Sequence, residues 1–380
     1  MTASTSSPRH ARRAALQLAR FGALLACAAF AAVATLAGCI PSPGPPSGTA
    51  PAVSDGAPID TSGLDPLRPL TREEVDALPG VLAVTTEGNR AVALLDPDTG
   101  RPFAYAGVGW APRAVVSAPD GRSVYVANSA GDRFGMGSLS VITLYDRRET
   151  DRIELSPYGS LRGLAMTRSG TFLYVASEIR HCVLEFNLLS RVVDRVFTLP
   201  RGTPYQLALD NTETRLFVTD TVTSTLWAID LAGGGFSETR VGRAPEGLAI
   251  SPDGLSVWVA NRDDGTISLI DPVTLAWQAT LVAGRAPIAI AFTRDGQKAL
   301  VVVSGESSIA VFGATSRARL QAIAVALYPS AIAVATSGDR AFITSSRDGV
   351  VQQLDTRTMQ LVGSVIVGRV PMGVAWVARR

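Results

Sequence analysis

The chain reads as an all-β protein. The expected fold is a seven-bladed β-propeller of four-stranded antiparallel blades, its ring closed by pairing the C-terminal strand with the N-terminal strands. Three observations predict it. A phrase recurs about every 42 residues, and its clearest copy runs GRAPEGLAISPDGLSVWVANRDDGTISLID from Gly242 to Asp271. The anchors of its second apolar run fall at Ala83, Tyr125, Tyr174, Phe217, Trp258, Leu300 and Phe342, in steps of 42, 49, 43, 41, 42 and 42 residues. The last copy, Gly368–Arg380, holds only the opening third of the phrase, whereas the chain near Val81 starts without that opening. A repeat of this period means a solenoid, a propeller or an array, and a copy divided between the two ends calls for a closed ring.

Four segments precede or make up the ring. Residues 1–38 have the pattern of an export signal: Arg9, Arg12, Arg13 and Arg20 come before an uncharged apolar run, Phe21–Gly38, that ends Leu36-Ala37-Gly38-Cys39. This resembles the bacterial lipoprotein signal, whose box is a leucine, two small residues and the cysteine that takes the lipid. The resemblance implies cleavage before Cys39, acyl chains on Cys39 and a bacterial cell-envelope location. In a Gram-negative bacterium, Ile40, where an aspartate would favour inner-membrane retention, points to the outer membrane. An uncleaved transmembrane anchor and an ordinary signal peptide are the competing readings. Residues 39–70 carry Pro41, Pro43, Pro45, Pro46, Pro51, Pro58, Pro66 and Pro69 among Gly, Ser and Ala, the composition of a tether. A tether of that length spans on the order of 30 Å. Within residues 71–79, Thr71 and Glu74 have capping-box spacing, which predicts a short helix over 72–78.

The propeller occupies residues 80–380. Each copy has four apolar runs: one after the proline (Gly247–Ile250), one around the anchor (Val257–Ala260), a third (Ile267–Ile270) and a weaker fourth (Trp277–Val282). Ser251-Pro252-Asp253-Gly254 supplies a tight turn, with Pro presetting φ and Gly accepting positive φ. Closure places Met372–Val377 as the innermost strand beside Val81–Val84, Ala91–Leu95 and a run near Phe103–Ala106. Small residues follow the post-proline position in six copies (Ala114, Gly163, Gly247, Ala289, Ala331 and Gly373, with Gln206 the exception), as crowding at the axis requires. Tyr125-Val126-Ala127-Asn128 and Trp258-Val259-Ala260-Asn261 resemble the YVTN-type β-propeller repeat over about residues 80–380. That family resemblance implies architecture and no particular activity. No Trp-Asp dipeptide occurs, which excludes a WD-repeat protein.

Inventory removes most chemistry. The whole chain carries +2, but without the four signal arginines it carries −2, so no nucleic-acid partner is expected. His10 falls in the signal and leaves His181, in a turn, as the one histidine; no GxSxG or CxxCH motif occurs. Cys27 also falls in the signal and Cys39 takes lipid, so Cys182 stands alone and reads as a buried structural thiol. Acids recur after the second run of each copy (Glu87, Asp132, Glu178, Asp220, Asp263, Asp264, Glu306 and Asp348). Together they could hold Ca²⁺, but turn hydrogen bonding explains them better. No cofactor and no metal are expected, and the chain reads as a monomer.

Two departures between copies mark a candidate site. The residue after the proline reads Arg113, Arg162, Tyr205, Glu246, Ile288, Ser330 and Met372 around the ring. Neighbouring Arg113 and Arg162 could clamp a carboxylate or phosphate, with Tyr205 as a flat contact. An ion pair from Arg113 or Arg162 to Glu246 is the plainer reading. The 49-residue step inserts residues 129–137, with Phe134 and Met136, into a loop on the same rim: an interaction loop or a tolerated insertion. The expected role is a non-catalytic, membrane-anchored binding scaffold for a protein or small anionic ligand. The alternatives are a propeller hydrolase, lyase or lactonase working through Glu246, and a redox propeller. Cys39→Ser should leave the precursor uncut and free of acyl chains, as mass spectrometry of its N-terminus would report.

Overall fold

A computed structural model describes residues 69–130 and 136–379. The signal, Cys39, nearly all of the tether and Phe134 lie outside the described residues. Seven four-stranded antiparallel sheets make up the described chain. Blade one, counted from the N-terminus, combines Pro371–Ala378 with Gly80–Thr86, Ala91–Leu95 and Pro102–Gly107. The inner strands of blades two to seven are Trp110–Ser117, Leu161–Met166, Pro204–Leu209, Pro245–Ile250, Pro287–Phe292 and Pro329–Val334. Each inner strand contacts the next, and Pro371–Ala378 contacts both Pro329–Val334 and Trp110–Ser117, so the ring is closed.

The strands follow from a period-2 pattern with both faces apolar, which suits a sheet buried on two sides. In blade five, Trp258 and Ala260 pack towards blade six, whereas Val257 and Val259 pack towards blade four. Seven apolar clusters result, one at each junction between blades. All seven repeat anchors lie on second strands. Opposite them on the inner strands stand Ala375, Val116, Ala165, Ala208, Ala249, Ala291 and Ala333. Six alanines against mostly large side chains let each blade narrow towards the axis. The small residue after the post-proline position has a similar cause. A Cβ added to Gly247 would lie 2.9 Å from the Ala289 Cα of the next blade, and one added to Gly373 would lie 2.3 Å from the Arg113 carbonyl oxygen.

Closure is a full strand pairing, from Gly80 opposite Ala378 to Thr86 opposite Pro371. Side chains reinforce it. Thr85 Oγ1 accepts from the Gly373 amide at 2.8 Å and donates to the Arg113 carbonyl of blade two at 3.0 Å. Thr219 and Thr344 stand at the same repeat position and make the same bridge, to the Glu246 and Met372 carbonyls. The expected helix forms over Arg72–Ala77 with the Thr71–Glu74 capping box in place. It lies at the Gly80/Ala378 end of blade one: Val75 joins the core there, and Arg379 donates to the Val75 carbonyl at 2.9 Å. Among the described residues no helix is long and apolar enough to cross a membrane.

Deleting residues 370–380 removes one of the four strands of blade one and uncovers Val81, Leu82 and Val84. The truncated chain should aggregate or lose its cooperative thermal transition in circular dichroism; a soluble monomer with unchanged Tm would contradict the closure.

Candidate functional site

The upper halves of the seven inner strands enclose an open axial cavity of about 290 Å³. Its geometry begins with a turn. The residue before the proline position has positive φ in six blades, at Ala111, Ser160, Ala244, Ala286, Tyr328 and Val370. A non-glycine residue there costs roughly 1 kcal/mol or more, so something must hold it. In five blades its carbonyl accepts from the first amide after the second strand: Val370 from Glu87, Ser160 from Glu178, Ala244 from Arg262, Ala286 from Ser304, and Tyr328 from Ser346, at 2.9–3.2 Å. The strand register then slips past the proline position in every blade, a bulge that re-aims the next side chain. All seven post-proline residues consequently line the cavity. Blade three achieves this with Leu161 where the others have proline.

The cavity is two-sided. Arg113, Arg162, Tyr205 and Glu246 form a charged and aromatic wall over blades two to five, and Ile288, Ser330 and Met372 face it. The expected ion pairs to Glu246 do not form as read. Arg162 pairs with Glu178 at 2.7 Å, Arg113 approaches Glu87 at 3.6 Å, and Glu246 pairs with Arg262, which also meets Asp263 at 2.9 Å. The reason is proximity: Glu178 and Arg262 open turns that the backbone clamp draws against the post-proline residue of their own blade, whereas Glu87 opens the blade-one turn that contacts the inner strand of blade two. Glu178 and Arg262 were missed as partners, although the sequence held a signal. Arg162/Glu178 and Glu246/Arg262 are the same two repeat positions, 16 residues apart, with the charges exchanged.

Arg162 lies over the Tyr205 ring, 5.4 Å from its centroid. Burial pushes the Glu246 carboxyl above its ordinary value, with Arg262 and Arg162 opposing the shift. Burial also raises the Tyr205 phenol, reinforced by the charge of Glu246.

Of the remaining candidates, Met136 is half-buried and is not among the cavity-lining residues, while Phe134 lies outside the described residues. Asp132 also lies outside the described residues, and of the other turn acids Glu87, Glu178 and Asp263 pair with arginines while the rest serve the backbone. Asp264, Glu306 and Asp348 accept from the amides of Arg243, Arg285 and Leu327 at 2.7–2.8 Å, each 21 residues upstream. Asn89 takes the equivalent place in blade one, accepting from Arg369. Among the described residues no cluster of three or more metal-ligating side chains occurs. His181 is exposed in its turn. Cys182 is buried, and desolvation pushes its thiol up to about 11.

No protein-family model matches the chain, and no curated protein is similar to it in sequence. Solved structures do resemble it. A functionally unknown protein from Desulfotomaculum acetoxidans superposes with a TM-score of 0.67 at 15% identity, over 79% of this chain and 99% of that one. A candidate 6-phosphogluconolactonase from Bacteroides fragilis gives 0.65 at 14% identity, over 79% and 98%. Hydrazine synthase of Kuenenia stuttgartiensis gives 0.64 at 15% identity, over 74% and 96%. At such identities the likeness is one of fold alone.

Because the folded pKa of Glu246 lies above its unfolded value, its protonated form is favoured in the native state. Its contribution to stability is therefore present at low pH and lost as pH rises from the ordinary carboxylate range through the raised value. Glu246→Gln should remove that loss. The difference in Tm between variant and wild type should grow in the variant's favour over that pH window; a constant difference would contradict the shift. Both curves shift together, in either direction, wherever other groups titrate.

Proposed function

We propose that the protein is a lipid-anchored binding propeller of a bacterial cell envelope, of the YVTN-repeat type, that takes a small polar ligand into its axial cavity without transforming it. The observation carrying this reading is the convergence of all seven post-proline side chains on one water-accessible space. Their charge is segregated, as a site for an oriented ligand needs. The lipobox around Cys39 supports the anchor.

The wall selects the ligand's chemistry. Arg113, Arg162 and Arg262 are balanced by Glu87, Glu178 and Glu246. A polyanion would meet three carboxylates, so the fit is to one anionic group with polar donors beside it. The 3.6 Å approach of Arg113 to Glu87 leaves guanidinium hydrogens for a carboxylate or phosphate. Glu246 and the Tyr205 hydroxyl then take hydroxyl or ammonium donors, and Ile288 and Met372 cover the apolar part.

Titration calorimetry with small carboxylates and phosphate monoesters tests this. Arg113→Ala/Arg162→Ala should weaken binding about tenfold or more, since a charge-assisted hydrogen bond contributes roughly 1.5–3 kcal/mol. Wild-type protein that binds none of these probes, or a variant that binds as well, would refute the reading. Turnover of a lactone or sugar acid that disappears in Glu246→Gln would replace it with a hydrolase or lyase.

A further inference from the structure

Above Ile288, Ser330 and Met372, over blades six, seven and one, the rim of the mouth carries loops and turns that the small-ligand site does not use. They present Arg285, Arg347 and Arg369, all exposed. Among the described residues none of these guanidiniums has a carboxylate partner. Arg285 donates to the Gly305 carbonyl at 2.7 Å, and Arg347 lies over the Tyr328 ring, 5.8 Å from its centroid. The acids of this sector are directed elsewhere: Glu306 and Asp348 accept from the backbone amides of Arg285 and Leu327, and Glu87 approaches Arg113.

Apolar side chains interleave with these cations. Leu327 is 44% exposed, Tyr328 52% and Val370 40%. Single exposed apolar residues are ordinary on any surface. Here Leu327 and Tyr328 stand in the loop before blade seven, and Val370 follows Arg369 in the loop before the closing strand. Ile288 and Met372 continue the apolar surface down into the cavity. The chain beyond the signal carries −2, yet the three arginines of this sector pair with neither Glu306 nor Asp348, which leaves their guanidiniums open to outside carboxylates. Arginine and aromatic side chains around an apolar centre characterise protein-binding surfaces.

We propose that this sector docks an extended acidic segment of a partner protein. Carboxylates of the segment pair with Arg285, Arg347 and Arg369, and its apolar side chains cover Leu327, Tyr328 and Val370. The interleaving favours a peptide over a uniform polyanion, which would leave the apolar residues wet. This inference rests on the rim residues and does not depend on the small ligand proposed for the cavity.

The probe is a short fluorescein-labelled peptide of alternating Glu and Leu, with Glu–Ser and Lys–Leu peptides as controls. Fluorescence anisotropy would be read with the full chain in nonionic detergent. The Glu–Leu peptide should bind more tightly than either control, with an affinity that falls as salt rises. Arg285→Glu/Arg347→Glu/Arg369→Glu should weaken it about tenfold or more, and Leu327→Ser/Tyr328→Ser should do the same without altering the charge. Equal binding to wild type and both variants would overturn the proposal. So would tighter binding to phosphatidylglycerol vesicles that the same arginine substitutions abolish, since the surface would then be lipid-binding. Loss of small-carboxylate binding alone would count against the cavity reading and leave this one standing.

Discussion

A blade of this protein has two apolar faces, and neither can be covered except by another blade. Opening the junction between blades seven and one would expose Leu82, Val84, Phe342 and Val351 among others. At roughly 1.5–3 kcal/mol for each large side chain, that loss is on the order of 10 kcal/mol, comparable with the whole stability of a typical domain. The ring is therefore stable only when every junction is made. Pairing Gly80–Thr86 with Pro371–Ala378 turns a row of sheets into a closed core, and the cavity exists because that core has an axis.

Closure also copies the local clamp. In blade one the turn Glu87–Asn89 and the loop ending at Val370 come from opposite ends of the chain. They still form the bonds that blades five and six form within continuous sequence: turn amides to the loop carbonyls, and a side-chain oxygen to the loop amide. The junction is thus specified by polar geometry as well as by apolar burial, which fixes the register of the final strand.

The fold was legible because repetition displays it. Seven anchors counted the blades, the divided copy located the closure, and the post-proline position identified the residues at the axis. The site was less legible because its pairs are set by how turns fold back onto strands. Arg113 takes its acid from blade one, in the preceding copy of the repeat, whereas Arg162 and Glu246 find their partners within their own copies. The acids after the second strands looked like ordinary turn formers, yet three of them reach an amide 21 residues away. The rim arginines escaped notice because nothing in a sequence says which charges lack partners.

The polarity of the ring has a consequence of its own. Helix Arg72–Ala77 and Gly80 stand at the Ala378 end of blade one, whereas Pro371, Met372 and the cavity mouth stand at the other. The chain thus joins the domain on its underside. A domain held by that side to any support would keep its opening unobstructed and turned outward, like a cup fixed by its base.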